Sequence, residues 1–152
     1  MRVVTYGGAV SLDGFLAGKD GAMDWMHFSK DAQDIMKAYW KDVDTILMGR
    51  KTYEVAVAQR GTGAQKSKET QRVAKVSAIR SYVFSRTLKT IDDPNVELVA
   101  GDAADFVSKL KQQPGKGICL MGGGELAESL FAVGLIDHVG LCFVSLVSIA
   151  LL

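Results

Sequence analysis

Val43 to Glu54, V-D-T-I-L-M-G-R-K-T-Y-E, constrains the fold more than any other stretch of this chain. Val43 to Met48 is short, apolar and β-branched at Val43 and Ile46, which predicts a strand buried on both faces. Gly49 breaks the strand, and Lys51, Thr52, Tyr53 and Glu54 open a helix-compatible run. A strand that ends in glycine and feeds a helix aims unpaired backbone N–H groups, and the positive end of the helix dipole, at one point. Arg50 adds a permanent planar cation suited to phosphate. An ordinary strand–helix joint with a surface arginine reads the same way, so the rest of the chain has to decide.

The pattern recurs from one end to the other. Arg2 to Val10 reads as a first strand, carrying a glycine pair at Gly7-Gly8 that predicts a bulge or a close approach by another group. Ser11 to Trp25 is a long glycine-punctuated connection, and idle loops are short. Ser29 or Asp31 caps a helix whose Ile35, Met36, Tyr39 and Trp40 share a face. Gln59 to Gln71 is a polar loop leading to a short helix near Glu69 to Ala78. Strands follow at Ser81 to Ser85, Val96 to Ala100 and Gly117 to Met121, with helices after Asp102 and from Glu125 to Val133. Val139 to Leu152 is apolar and strand-like. Such alternation predicts a single α/β domain over 1–152: a mostly parallel central sheet with helices on both faces.

Composition narrows the function classes. A formal net charge of +1 over 152 residues leaves no electrostatic footprint for nucleic acid or a membrane surface, so any anion site is local. The terminal apolar run is shorter than the ~20 residues of a membrane span. Cys119 and Cys142 lie inside apolar runs and read as core thiols, and with His27 and His138 they form no zinc spacing. The chain begins at once with a strand and lacks a signal-peptide layout, which predicts a cytoplasmic protein.

Ligands of such sheets bind beyond the carboxyl ends of the strands. Three ends stand out: Gly49-Arg50-Lys51-Thr52, Ser85-Arg86-Thr87, and the triple glycine Gly122-Gly123-Gly124 before Glu125. One glycine suffices for a turn; three let backbone approach a pyrophosphate or a flat ring. Together they favour a nucleotide with more than one phosphate region. Neither G-x-G-x-x-G nor a Walker A motif is present.

In order, S-L-D-G-F-L-A-G-K-D-G-A-M-D-W, M-G-R-K-T-Y-E, Y-V-F-S-R-T-L and M-G-G-G-E-L-A-E-S-L-F resemble the dihydrofolate reductase-like fold. Within it they are most similar to the branch holding the C-terminal reductase domain of the bifunctional riboflavin-biosynthesis enzyme and many stand-alone bacterial reductase-like proteins. The resemblance spans nearly the whole chain. It implies a three-layer α/β/α domain that uses NADPH to reduce a pyrimidine ribosylamino or pterin-like small molecule. Arg50 and Thr52, with Gly49 and Lys51 beside them, would bind cofactor phosphates; Ser85 and Arg86 would take the adenosine 2′-phosphate. Gly122, Gly123 and Gly124, with the amides of Glu125 and Leu126, would hold the pyrophosphate. In the folate enzymes a glycine pair at this position carries a cis peptide. Ala9 and Val10 would floor the nicotinamide, and Asp13 to Trp25 would form a lid over the substrate.

Asp13 is the candidate proton donor, with a turn-forming role as the competing account. Asp31 either contacts substrate or caps its helix, and Trp25 either walls the pocket or belongs to the core. Two further readings stay open: a dihydrofolate reductase, and a non-catalytic nucleotide-binding protein of the same fold. The chain departs from the family at its end, where Ser145 stands in place of a common proline and His138 in place of a common acid. A shortened terminal strand leaves an apolar rim, which predicts a homodimer through Val139 to Leu152.

Overall fold

The computed structural model describes residues 1–18, 26–61 and 79–144, excepting the side chains of 59–61 and 144. Residues 19–25 of the expected lid, with Trp25, residues 62–78 of the expected polar loop and helix, and residues 145–152 lie outside the described residues; Gln59 to Gly61, expected in that loop, instead form the last turn of the helix that begins at Arg50. The elements are β1 (Val4–Ser11), α1 (Lys30–Tyr39), a 3₁₀ turn (Trp40–Asp42), β2 (Val43–Gly49), α2 (Arg50–Gly61) and β3 (Arg80–Phe84). After them come β4 (Val96–Val99), α3 (Ala103–Gln112), β5 (Gly117–Met121), α4 (Gly124–Ala132) and β6 (His138–Val144).

These strands form one six-stranded sheet in the order β4-β3-β2-β5-β1-β6. Every neighbouring pair is parallel. All described strands therefore send their carboxyl ends to one edge. The alternation of strand and helix breaks once, between β3 and β4, where the connection carries no helix. Leu88 and Ile91 of that connection pack against the core as a helix face would.

The period of two along each strand divides its side chains between two cores. Leu47, Tyr82, Ile118 and Leu120 face α3 and α4, meeting Val107, Leu110, Ala127 and Leu130. Ile46, Met48 and Val83 face the other way, toward Trp40 and Tyr53. The three-layer α/β/α arrangement follows directly. No helix among the described residues is long and apolar enough to cross a membrane.

Local chemistry fixes the helix ends. Ser29 caps α1, its hydroxyl accepting from Ala32 N at 3.2 Å, so Asp31 is not the cap; it sits in the first turn, where its charge favours the helix dipole. Asp102 caps α3 through Asp105 N at 3.0 Å. Gly134, at φ 66°, ends the run after α4, with Leu135 N bonded to Leu130 O at 3.0 Å. The expected inward face of α1 needs one correction. Met36, Tyr39 and Trp40 are half-buried, but Ile35 is 71% exposed, because α1 turns a narrow face to the sheet and no α1 residue is fully buried.

The glycine pair of β1 answers to close approach. A Cβ on Gly7 would meet Cys119 Sγ at 3.3 Å, and one on Gly8 would meet Leu16 Cδ2 at 3.3 Å. Both cysteines are free thiols; Cys119 is buried and Cys142 half-buried. Burial pushes the Cys119 thiol up, keeping it protonated and unreactive. The Tyr39 hydroxyl is buried close to Cys119 and Thr5. Burial raises that phenol well above its ordinary value.

Candidate active site at the carboxyl edge

Four adjacent strands, β3-β2-β5-β1, carry nearly all of the sequence-expected residues to the same edge. Register shows how level they are. Gly49 pairs with Phe84, so Arg50 and Ser85 leave the sheet together; Met48 pairs with Met121, so Gly122 leaves β5 level with Gly49, the last residue of β2. Residues far apart in sequence thus become neighbours.

At β2, strand and helix abut with no intervening loop, and Arg50 is the first residue of α2. At β5, Gly123 serves as N-cap of α4 at φ 73° and offers no side-chain cap, so the first α4 amides keep their donors. The two joints touch. A Cβ on Gly122 (φ 57°) would meet Thr52 Oγ1 at 3.1 Å, and one on Gly123 would lie 3.9 Å from Gly49 N. A side chain at Gly122 would therefore press on Thr52, whereas one at Gly123 would rest in ordinary contact with Thr52 and Gly49 but strain the left-handed backbone. In front of Gly49 and Gly124, by contrast, a Cβ would meet nothing within 4 Å. Two helix N-termini, glycine-lined and side by side, face a space that none of the described residues fills. Among the described residues every peptide bond is trans, so the pair Gly122-Gly123 carries no cis peptide; left-handed φ values make the turn instead.

The charges divide into held and free. Arg50 Nη1 donates to Glu54 Oε1 at 2.8 Å, one turn along the same helix. Lys51 and Arg86 are exposed and form no ion pair among the described residues. Ser85, expected at the adenosine 2′-phosphate, accepts from Thr87 N at 3.2 Å and Leu88 N at 3.0 Å, shaping the turn that carries Arg86 outward. Glu125 is exposed and Leu126 half-buried in the first turn of α4.

At the end of β1, Val10 is 6% exposed, so what this strand offers a ligand is its backbone and the half-buried Ala9. Ala9 lies in an apolar cluster with Met26, Phe28 and Cys142. Asp13 is exposed on a tight turn. The hydroxyl of fully buried Ser11 donates to Asp13 Oδ1 and accepts from Phe15 N at 3.0 Å, and Gly14 N bonds Ser11 O at 3.0 Å. The Ser11 hydroxyl thus gives the carboxylate a defined place on the turn that follows β1. Sequence reasoning missed Ser11 and Leu16; a buried serine at a strand end, followed two residues later by aspartate, was the available signal for the first. His27 and His138 are exposed. No group of three or more metal-ligating side chains occurs among the described residues.

Comparison with known proteins follows the same lines. The family model described as RibD C-terminal domain matches residues 2–147. Two proteins of Bacillus subtilis (strain 168) are similar. Uncharacterized protein YyaP is 34% identical over 130 residues, covering 86% of this chain and 68% of its own length. Uncharacterized protein YwjB is 30% identical over 131 residues, covering 86% and 69%. Among solved structures, a putative riboflavin biosynthesis protein from Shewanella sp. PV-4 superposes with TM-score 0.71 at 22% identity, over 97% of this chain and 78% of that one. A diaminohydroxyphosphoribosylaminopyrimidine deaminase/5-amino-6-(5-phosphoribosylamino)uracil reductase from Thermotoga maritima gives 0.61 at 17% identity, over 96% of this chain but 45% of that one. This chain therefore spans less than half of that protein.

Proposed function

The chain belongs to the RibD C-terminal domain family, and from that membership, which carries a reductase-like role, we propose that it is an NADPH-dependent reductase of a pyrimidine ribosylamino or pterin-like small molecule. The observation that carries the reading is the pair of touching glycine joints at Gly49–Thr52 and Gly122–Gly124, with open space before them. The residues present fit a dinucleotide phosphate: donors without caps, no side chains in the way, and cations at the rim.

In this reading the α4 amides of Glu125 and Leu126 hold the pyrophosphate, and Thr52 and Arg50 bind phosphate oxygens at α2. Ser85 and Arg86 take the adenosine 2′-phosphate together with Arg50, which stands level with Ser85, and Lys51 adds charge at the rim. Bound NADPH would supply the hydride. Ala9 and the β1 backbone orient the ring, and Asp13, held by Ser11, supplies or accepts the accompanying proton. Asp31 and Trp25 are assigned to the substrate side. The cytoplasm is the setting we propose.

Titration with NADPH and NADH, read through Trp25 and Trp40 fluorescence, tests the reading. NADPH is expected to bind at least tenfold tighter than NADH, with Arg86→Ala removing most of the difference. Failure of both cofactors to bind sinks it. Binding without turnover of 5-amino-6-(5-phosphoribosylamino)uracil or dihydrofolate would instead favour a non-catalytic nucleotide-binding protein; turnover of dihydrofolate alone would favour a dihydrofolate reductase.

The same family reading extends to a homodimer through β6. Val139, Leu141 and Phe143 are 55%, 40% and 66% exposed at alternate positions, hence on one face of a strand that pairs only with β1 among the described residues. Residues 138–144 carry no Lys, Arg, Asp or Glu, and a net charge of +1 sets up no repulsion between copies. Light scattering is expected to give a dimer that Phe143→Asp dissociates; a monomeric unsubstituted protein overturns it.

A further inference from the structure

We propose that Glu54 is an internal competitor of the cofactor phosphate for Arg50, and that it limits both affinity for NADPH and preference over NADH. The proposal rests on the reading that the α2 joint takes the cofactor. It starts from an arrangement that helix energetics disfavour. Arg50 is the first residue of α2 and Glu54 lies one turn further in. A cation at a helix N-terminus faces the positive end of the dipole, and an acid four residues after its basic partner is the poorer of the two orientations. The first turn of α2 contains no acid to compensate. The pair is thus poorly placed to serve the helix, and well placed to serve something beyond its end.

Its geometry says how easily it opens. Arg50 Nη1 and Glu54 Oε1 are 2.8 Å apart, with side chains 40% and 48% exposed. A pair this open to water is worth at most about fivefold in an equilibrium constant. One guanidinium edge is engaged with a single carboxylate oxygen, and the planar fork has a second edge to offer. A phosphate monoester carries roughly −1.5 to −2 charge and can take the fork through two oxygens, whereas a bare ribose hydroxyl cannot displace a carboxylate. A ligand with the 2′-phosphate therefore draws Arg50 away from Glu54; a ligand without it leaves the pair closed. The displaced carboxylate stays on the same helix surface and repels the bound phosphate. Lys51 and Arg86, which have no such counter-charge among the described residues, set the contrast.

Glu54→Gln removes the charge and keeps the side-chain length. The test compares Glu54→Gln with the unsubstituted protein by equilibrium titration with NADPH, NADH and the fragment 2′,5′-ADP, at fixed low salt. Glu54→Gln is expected to tighten NADPH and 2′,5′-ADP about three- to tenfold and to change NADH by less than about twofold. Raising the salt should shrink the gain, because the competition is between exposed charges. Glu54→Asp, whose shorter side chain loses the pairing geometry but keeps the charge, should give only part of the gain, because the carboxylate no longer holds Arg50 yet still repels the phosphate. Unchanged or weaker NADPH binding in Glu54→Gln, with the unsubstituted protein binding normally, overturns this proposal alone and makes Glu54 an orienting partner or a bystander. Failure of every protein to bind any of the three ligands overturns the cofactor reading itself. Far-UV circular dichroism of each variant confirms that the comparison is made between folded proteins.

Discussion

The two ends of the same sheet are built on opposite plans. At the amino end, charge is spent on holding strands together. Arg2, 8% exposed, pairs with Asp44 and donates to Thr45 Oγ1 and Lys116 O, each at 2.7 Å, while Asp44 Oδ2 accepts from Lys116 N at 2.7 Å. This ties the entrance of β1 to those of β2 and β5. Lys111, 3% exposed, pairs with Asp137 at 2.6 Å and reaches Leu135 O at 3.2 Å; Asp137 also accepts from Val4 N at 2.7 Å. At the carboxyl end β2 finishes in Gly49 and β5 runs into Gly122, the start of α4 has no side-chain cap, and Lys51 and Arg86 stand exposed. Satisfied charge makes a clamp; donors left without side-chain partners are what the proposed cofactor site draws on. The lesson is that the amino end holds the strands level so that the carboxyl end can leave its groups uncommitted.

Glycines at the two ends allow that contrast to be broken directly. A Cβ on Gly115 (φ 153°) would lie 2.9 Å from both Arg2 Cζ and Asp44 Oδ2, inside the clamp. A Cβ on Gly122 would press on Thr52 at the open joint. Gly115→Ala is expected to cost about 2–3 kcal/mol in chemical denaturation, since it strains the backbone and pushes on a buried ion pair, with NADPH affinity of the folded protein within about twofold. Gly122→Ala is expected to cost about 1–2 kcal/mol for its left-handed backbone, and to weaken NADPH about tenfold or more by parting the joints. Equal loss of binding in both variants would mean that the ends are not separable.

The difference between the ends also explains what could be read from sequence. The carboxyl end was legible because its signals are local: a glycine and a cation after a β-branched run, and three glycines at the start of a helix. The strand at Gly117–Met121 and the joint at Gly49 appear where the pattern puts them. The amino-end clamp was not legible, because its partners are separated by 42 positions for Arg2 and Asp44 and by 26 for Lys111 and Asp137. A lysine in a helix with Leu110 and Val107 reads as solvated until the strand carrying its partner is placed. Ser85 shows a third case. Its neighbourhood was recognised, but whether its hydroxyl served a ligand or its own turn depended on Thr87 and Leu88 N–H groups whose direction only the folded backbone sets. Ile35 was misplaced because apolar residues at helical spacing do not reveal how wide a face the sheet accepts.

The smallest expected effect is the acid response of the clamp. Burial alone would raise the carboxyl of Asp44, but the Lys116 N–H, the Thr45 hydroxyl and the charges of Arg2 and Lys116 outweigh it and hold it below the ordinary carboxylate value of 3.8. Asp137 follows the same balance, with burial opposed by Lys111, Val4 N and His138. A folded-state value below the unfolded one stabilises the native protein fully above the ordinary value, and that contribution is lost as pH falls through it toward the depressed one. Both side chains are substantially exposed, at 40% and 32%, so each contributes under about 1 kcal/mol. Denaturation midpoints are therefore expected to hold steady from these groups between pH 7 and about 5 and to fall below about 4. Asp44→Asn keeps an acceptor for Lys116 N but carries no charge for Arg2, so the variant should start less stable at neutral pH and lose less on acidification. An acid slope that Asp44→Asn leaves untouched would place the sensitivity elsewhere, and the amino end would then be held by its hydrogen bonds and packing, with charge a minor contributor.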